Sequence, residues 1–140
     1  MNRSIKLLFV DDDVMFLAAQ AAYFGSRGFT VSTAEGTQEA LALLEGDPPD
    51  IIFLDLMMEH SDSGFTLARR IRRDERLKSV PLVMLSGVAS VTGSSFSMEQ
   101  EELRAWSSLD EFVDKPVSAR QLLSIVEKRL GLAQGHGSRR

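Results

Sequence analysis

The sequence predicts a doubly wound α/β fold, a (βα)5 sandwich in which a five-stranded parallel sheet lies between two layers of helices. Short apolar runs of strand length alternate along the chain with segments of helical periodicity, as in successive βα units. The run 51–54, Ile-Ile-Phe-Leu, is apolar at every position. Consecutive apolar residues are typical of a parallel strand whose two faces are both covered by helices.

Five strands and five helices follow from these patterns, with an expected strand order of 2-1-3-4-5. The Ser/Gly-rich stretch 86–97 between the fourth strand and its helix predicts a long flexible loop. Strands are predicted at 5–10, 29–34, 51–54, 82–85 and 112–113. Helices are predicted at 14–25, 37–45, 65–76, 98–106 and 119–130.

Local chemistry supports the helix ends and the faces that pack on the sheet. Ser97-x-x-Gln100 and Ser118-x-x-Gln121 match the capping-box pattern, and Gly131 follows the last helix at a typical C-cap position. Apolar side chains at helical spacing predict the buried face of a helix. These are Val14, Leu17, Ala21 and Phe24 in the first helix and Leu122, Val126 and Leu130 in the last.

Length and composition restrict the class of protein. A chain of 140 residues is close to the ~150 residues that serve as a prior for one domain, so we expect a single domain at 1–130. Residues 131–140 include three glycines and predict a flexible C-terminal tail. Sixteen basic and twenty acidic residues give a net charge of -4, which disfavours direct binding to nucleic acid.

Two absences in the sequence narrow the chemistry and the compartment. The chain has no cysteine, which excludes disulfides, thiolate metal sites and thiol nucleophiles. Its apolar runs are far shorter than the ~20 residues that a membrane span needs. We therefore expect a cytoplasmic protein with no membrane insertion.

Charged and hydroxyl side chains follow four of the predicted strands at their carboxyl ends. In an open α/β sheet, ligands bind beyond these ends near the switch point of the strand order, so the order 2-1-3-4-5 would bring these side chains together. Clustered carboxylate oxygens suit Mg²⁺. The side chains are Asp11, Asp12 and Asp13 after the first strand, Asp55 after the third, Ser86 after the fourth and Lys115 after the fifth.

This set of residue types also indicates a reaction. A carboxylate beside a metal ion can attack phosphorus and hold the phosphoryl group as an aspartyl phosphate. A lysine and a serine hydroxyl neutralise or hydrogen bond to the oxygens of that group. The pattern therefore indicates phosphoryl transfer to Asp55, with Lys115 and Ser86 as its partners.

With these residues in place, 4–130 resembles the receiver domain of the bacterial two-component response regulators, the CheY-like receivers of the flavodoxin-like fold. The residues that carry the resemblance match the motif of that family one by one. They are the acidic pair Asp11 and Asp12, the phosphoacceptor Asp55, the hydroxyl residue Ser86, and Lys115 followed by Pro116.

The resemblance implies a signalling function and its partners. Asp55 would accept a phosphoryl group from a sensor histidine kinase or a histidine phosphotransfer protein in a Mg²⁺-dependent reaction. The modified state would then switch binding to a downstream protein target, which we expect to act in trans. We expect a phosphoacceptor protein rather than an enzyme, and a monomer or weak homodimer.

The resemblance also implies roles in metal binding. Asp12 and Asp55 would bind Mg²⁺ directly, together with the backbone carbonyl of Met57, and Asp11 would help through water. Asp13 is then expected as a carboxylate at the N-terminus of the first helix.

The resemblance implies further roles for residues in or just after the fourth and fifth strands. The Lys115–Pro116 peptide bond would be cis. Ser86 and Phe112 would form the pair that changes conformation after phosphorylation. Phe112 stands where an aromatic residue often serves as this switch, although phenylalanine lacks the hydroxyl of tyrosine.

The sequence departs from the family pattern in two loops. Glu59 stands where the family usually has proline, and 29 positions separate Ser86 from Lys115, more than is usual.

Two alternatives to the phosphoacceptor function stay open. One alternative is an interaction module that works without phosphorylation. The other is a phosphatase with an aspartate nucleophile, which needs a second acid two residues later, where this chain has Met57.

Overall fold

The computed structural model describes residues 4–55, 63–86 and 110–132. It contains a five-stranded parallel sheet of order β2-β1-β3-β4-β5, as predicted. The strands are β1 Lys6–Val10, β2 Thr30–Ala34, β3 Ile51–Asp55, β4 Leu82–Ser86 and β5 Glu111–Asp114. The helices of these ranges are α1 Val14–Gly25, α2 Thr37–Leu44, α3 Ser63–Arg73 and α4 Ala119–Leu130. The predicted helix 98–106, the loop after Ser86 and the tail from 133 lie outside the described residues.

Alternate residues of the central strands pack against opposite helical layers. On β1, Leu7 and Phe9 face the layer of α1 and α4, whereas Leu8 and Val10 face the layer of α2 and α3. All four side chains are at most 1% exposed, because both faces of the strand are covered. The predicted sandwich is thus confirmed, with one apolar cluster on each side of the sheet.

The buried cluster on the α1 and α4 side contains several stacked or edge-on phenylalanine rings. The rings of Phe9 and Phe53 stack at 4.7 Å with an interplanar angle of 7°, which joins β1 to β3. Phe24 of α1 packs on Phe9 at 5.7 Å, and Phe16 meets the same ring edge-on at 6.4 Å. This aromatic group fixes the position of α1 relative to the centre of the sheet.

The described helix ends follow the local chemistry of the sequence. Asp13 is the N-cap of α1, and its carboxylate accepts a hydrogen bond from the Phe16 N–H at 3.1 Å. Ser118 and Gln121 form the predicted capping box of α4. Gly131 ends that helix with φ +68°, a left-handed conformation that favours glycine. The Ser97 box lies outside the described residues.

Two predictions about the helices were wrong in detail. The prediction of a helix over 65–76 misplaced both ends, since α3 begins at Ser63 and ends at Arg73. Beyond it the Asp74 carboxylate accepts from the N–H of Arg76, whose guanidinium donates to the carbonyls of Leu44 and Gly46. These contacts favour a turn over further helix.

The predicted buried stripe of α1 is also corrected at one position. Val14 is 54% exposed, because α1 begins just beyond the carboxyl end of β1, where the sheet offers no surface to cover it. The buried residues of this helix are Leu17, Gln20 and Phe24.

In the described part of the chain, no helix is both long enough and apolar enough to cross a membrane.

Candidate functional site

The register of the sheet brings the predicted site residues to one edge. Val10 of β1 pairs with Leu54 of β3, so the next residues on each strand, Asp11 and Asp55, lie side by side. Asp55 in turn pairs with Leu85 of β4. Lys115 follows directly after β5, on the far side of β4. The carboxyl ends of β1, β3 and β5 therefore supply one common site.

Three carboxylates form the core of this site. Asp11, Asp12 and Asp55 each offer one oxygen, and these oxygens lie within 4.8 Å of one another. Asp11 is fully buried and Asp55 is 7% exposed, whereas Asp12 is exposed to solvent. Negative charges this close repel each other and are costly to bury, so the arrangement calls for a compensating cation.

Lys115 supplies one positive charge to this cluster. Its Nζ donates to Oδ2 of Asp11 at 2.8 Å, and Oδ1 of Asp11 accepts from the N–H of Asp13 at 2.9 Å. Both oxygens of the buried carboxylate are therefore hydrogen bonded. The Lys115–Pro116 peptide bond is cis, as predicted.

The electrostatic environment keeps Lys115 charged. Burial of the ammonium lowers the pKa of Lys115, but the hydrogen bond to Asp11 and the negative charges of Asp11, Asp55 and Asp13 outweigh this effect. The pKa of Lys115 is therefore raised above its ordinary value. The site therefore favours the charged ammonium form of Lys115.

Sequence reasoning did not single out Phe16, which also contacts the lysine. The Lys115 ammonium lies over the ring of this residue, 4.8 Å from the ring centroid. This distance is within the ~6 Å at which a cation is attracted to the face of an aromatic ring. A phenylalanine three positions after Asp13 was the only sequence signal, and it resembles an ordinary core residue.

The structure places the other predicted residues less completely. Ser86 is the last residue of β4 and pairs with Asp114, while its side chain and all of Met57 and Glu59 lie outside the described residues. Phe112 is half-buried and packs against the apolar cluster on the α2 and α3 side. Its role as a switch stays a prediction.

The donor set fits a hard divalent cation. Three carboxylate oxygens are close enough to share one ion, and oxygen ligands are those that Mg²⁺ prefers. Mg²⁺ usually keeps several water ligands in protein sites, and the exposed Asp12 leaves one side of the cluster open to solvent. Asp11, Asp12 and Asp55 are therefore the candidate metal ligands among the described residues.

Comparison with known proteins gives consistent matches. The family model described as response regulator receiver domain matches residues 7–127. The phosphate regulon transcriptional regulatory protein PhoB of Pseudomonas aeruginosa is 31% identical over 118 residues, which cover 84% of this chain and 48% of that protein. This chain spans about half the length of the curated relatives it matches.

Solved structures share the same architecture. A response regulator receiver protein from Pseudomonas putida is 29% identical with a TM-score of 0.76, over 91% of this chain and 99% of that one. The chemotaxis response regulator CheY4 of Vibrio cholerae has a TM-score of 0.77 at 24% identity, over 90% of this chain and 98% of that one, which shows a common fold.

Proposed function

Because the chain belongs to the response regulator receiver domain family, we propose that Asp55 accepts a phosphoryl group from a phosphorylated histidine of a partner protein. The family match over 7–127 confirms the family expected from the sequence. The observation that carries the proposed chemistry is the cluster of Asp11, Asp12 and Asp55 at the end of the central strands, with Lys115 bound to it.

The proposed step is an in-line displacement at phosphorus. A carboxylate oxygen of Asp55 attacks the phosphorus of a phosphohistidine, and the new P–O bond forms as the P–N bond breaks. The imidazole nitrogen leaves with the electron pair of the broken bond and is protonated from solvent. The product is an aspartyl phosphate, and no atom is oxidised or reduced.

In this proposal, Lys115 stabilises the transferred phosphoryl group. The ammonium has several donors on a flexible stem, so it can keep one hydrogen bond to Asp11 while it turns another toward a phosphoryl oxygen on Asp55. Such a charge-assisted hydrogen bond stabilises the negative charge of the phosphoryl group. Its raised pKa, which follows from the surrounding carboxylates, keeps the ammonium protonated for this role.

Asp11, Asp12 and Asp55 would hold Mg²⁺, and the backbone carbonyl of Met57 is the further ligand that the resemblance to the family implies. A divalent cation bound there would supply positive charge that neutralises the transferred phosphoryl group. Asp11 is committed to Lys115 and to the Asp13 N–H, which favours a role for it through water. The exposed Asp12 and Asp55, the last residue of β3, would then be the direct ligands.

The aspartyl phosphate would act as the signal. It adds negative charge at the carboxyl edge of the sheet, and we propose that Ser86 and Phe112 rearrange in response. The partners would be a histidine kinase or histidine phosphotransfer protein as donor and a protein surface that recognises the modified state. In this proposal the protein is a cytoplasmic phosphoacceptor rather than an enzyme with a separate substrate.

Intact-mass spectrometry tests this function directly. The protein is incubated with acetyl phosphate, with MgCl₂ in one arm and EDTA in the other. We expect a mass increase of one phosphoryl group in the Mg²⁺ arm, and none in Asp55→Asn.

Asp47→Asn is the matched control, because this carboxyl group is 86% exposed and pairs with Lys6 at the opposite edge of the sheet. It should be modified like the wild type. If the folded wild-type protein binds Mg²⁺ and yet gains no phosphoryl group, the proposed function is wrong, and a phosphorylation-independent interaction module becomes the better description.

A further inference from the structure

Four residues near the candidate site form a closed ring of contacts. Lys115 Nζ donates to Oδ2 of Asp11, and Oδ1 of Asp11 accepts from the N–H of Asp13. The Asp13 carboxylate accepts from the N–H of Phe16, and the ring of Phe16 lies under the Lys115 ammonium. The N-terminus of α1 is thereby connected to Lys115 in two ways, through Asp13 and Asp11 and through the ring of Phe16.

The position of the Phe16 ring is itself fixed by the core. Phe16 is half-buried and meets Phe9 edge-on at 6.4 Å. Phe9 is fully buried between Phe53 of β3 and Phe24 of α1. The aromatic group of the sheet therefore places the ring of Phe16 beside the end of β1, where the lysine arrives from β5.

We propose that Phe16 is a positioning residue for Lys115, and that its ring holds the ammonium over the carboxylate cluster, where it meets a phosphoryl group on Asp55. The attraction acts between the ring face and the positive charge, so it uses none of the N–H donors that Asp11 and the phosphoryl oxygens need. Without it, the flexible four-carbon side chain of Lys115, which follows the edge strand, would sample other rotamers. This inference rests on the proposed function.

A double-mutant cycle separates this role from simple packing. The rate of phosphoryl-group incorporation from acetyl phosphate at saturating MgCl₂ is measured for the wild type, Phe16→Leu, Lys115→Met and the double variant. We expect Phe16→Leu to slow the wild type by about fivefold, which is the order of a partly desolvated cation–π contact. In the Lys115→Met background the same change should have no effect, because the ring then has no cation to hold.

Two further variants complete the test. Phe16→Tyr keeps the ring and should react within about twofold of the wild type. Leu44→Ala removes a buried side chain of α2 on the opposite side of the sheet from Phe16, so it should lower the melting temperature without changing the rate. If Phe16→Leu slows the wild type and Lys115→Met by the same factor, the role of Phe16 is packing and the inference is overturned.

An NMR measurement tests the contact independently of phosphorylation. In the wild type, ring current should shift the Hε protons of Lys115 upfield, and the shift should disappear in Phe16→Leu. If the wild type shows no such shift, the inference is wrong even where phosphoryl transfer occurs. If the shift is present but the wild type gains no phosphoryl group, the proposed function has failed instead.

Discussion

The ammonium of Lys115 lies 2.8 Å from Oδ2 of Asp11, although 104 positions separate the two residues in the sequence. Asp11 follows a central strand and Lys115 follows the edge strand β5, with β3 and β4 between them. The lysine side chain therefore reaches across the carboxyl ends of two strands. Its charge is therefore close enough to both Asp11 and Asp55 that, despite burial, their negative charges help to raise the pKa of Lys115.

Removal of the lysine charge should strengthen metal binding. A divalent cation held by Asp12 and Asp55 would lie close to the Lys115 ammonium on Asp11, and two positive charges at short distance repel each other. We expect Lys115→Met to bind Mg²⁺ at least about threefold more tightly than the wild type, as measured by isothermal titration calorimetry. Lys6→Met is the control, since Lys6 pairs with Asp47 at the amino edge of the sheet. Weaker Mg²⁺ binding by Lys115→Met would show that the lysine organises the ligands instead.

The stability provided by Lys115 should depend on pH only in the alkaline range. Burial lowers the pKa of this lysine, but the hydrogen bond to Asp11 and the negative charges of Asp11, Asp55 and Asp13 raise it above the ordinary value. A group whose pKa is higher in the folded state stabilises that state below the unfolded pKa and loses this effect as pH rises through the folded pKa.

Urea unfolding in EDTA at a series of pH values measures this dependence. The difference in unfolding free energy between wild type and Lys115→Met should be constant up to about pH 9.5 and should decline above about pH 10.4. A decline that begins near neutral pH would mean that burial, rather than the carboxylates, dominates at the ammonium.

Arg72 makes a structural contact near the amino ends of β4 and β5, on the opposite side of the sheet from the carboxyl ends that form the candidate site. Its guanidinium donates to the carbonyls of Lys78 and Val80 at 2.9 and 2.8 Å, and to Oδ2 of Asp110 at 2.8 Å. The same Asp110 oxygen accepts from the N–H of Leu82 at 2.8 Å. One arginine thus joins the end of α3 to the segments that lead into β4 and β5.

Substitution of this arginine should affect stability and leave the site chemistry unchanged. Lysine cannot reproduce the planar fork of donors, so we expect Arg72→Lys to lower the unfolding free energy by about 2 kcal/mol. Arg70→Lys, at an exposed position of the same helix, should change it by less than about 0.5 kcal/mol. Urea denaturation measures both. Equal losses in the two variants would contradict this role, and so would slower phosphoryl incorporation by Arg72→Lys.

Much of the fold could be predicted because the information is local. The fully apolar run before Asp55 indicates a buried parallel strand, and Ser118 and Gly131 mark the ends of the last helix through their own backbone chemistry. The meeting of Asp11 and Asp55 follows as well, since parallel strands end at one edge of the sheet.

The remaining features depend on contacts between distant residues. Arg76 donates to the carbonyl of Leu44, 32 positions earlier, and this contact accompanies an α3 that ends sooner than its periodicity indicates. The cation–π contact of Phe16 with Lys115 depends on how α1 sits against the aromatic group of the sheet. Neither contact has a sequence pattern, because each is set by tertiary packing rather than by the preferences of neighbouring residues.

The most direct test of the central claim locates the phosphoryl group. The protein is treated with acetyl phosphate and MgCl₂ and then reduced with sodium borohydride, which converts an aspartyl phosphate to homoserine. Tandem mass spectrometry of the peptides then identifies the reduced residue. We expect homoserine at position 55 alone, and only after incubation with Mg²⁺. Homoserine at position 11 or 12, or at 55 regardless of Mg²⁺, would contradict the assignment of Asp55 as the acceptor in a metal-dependent site.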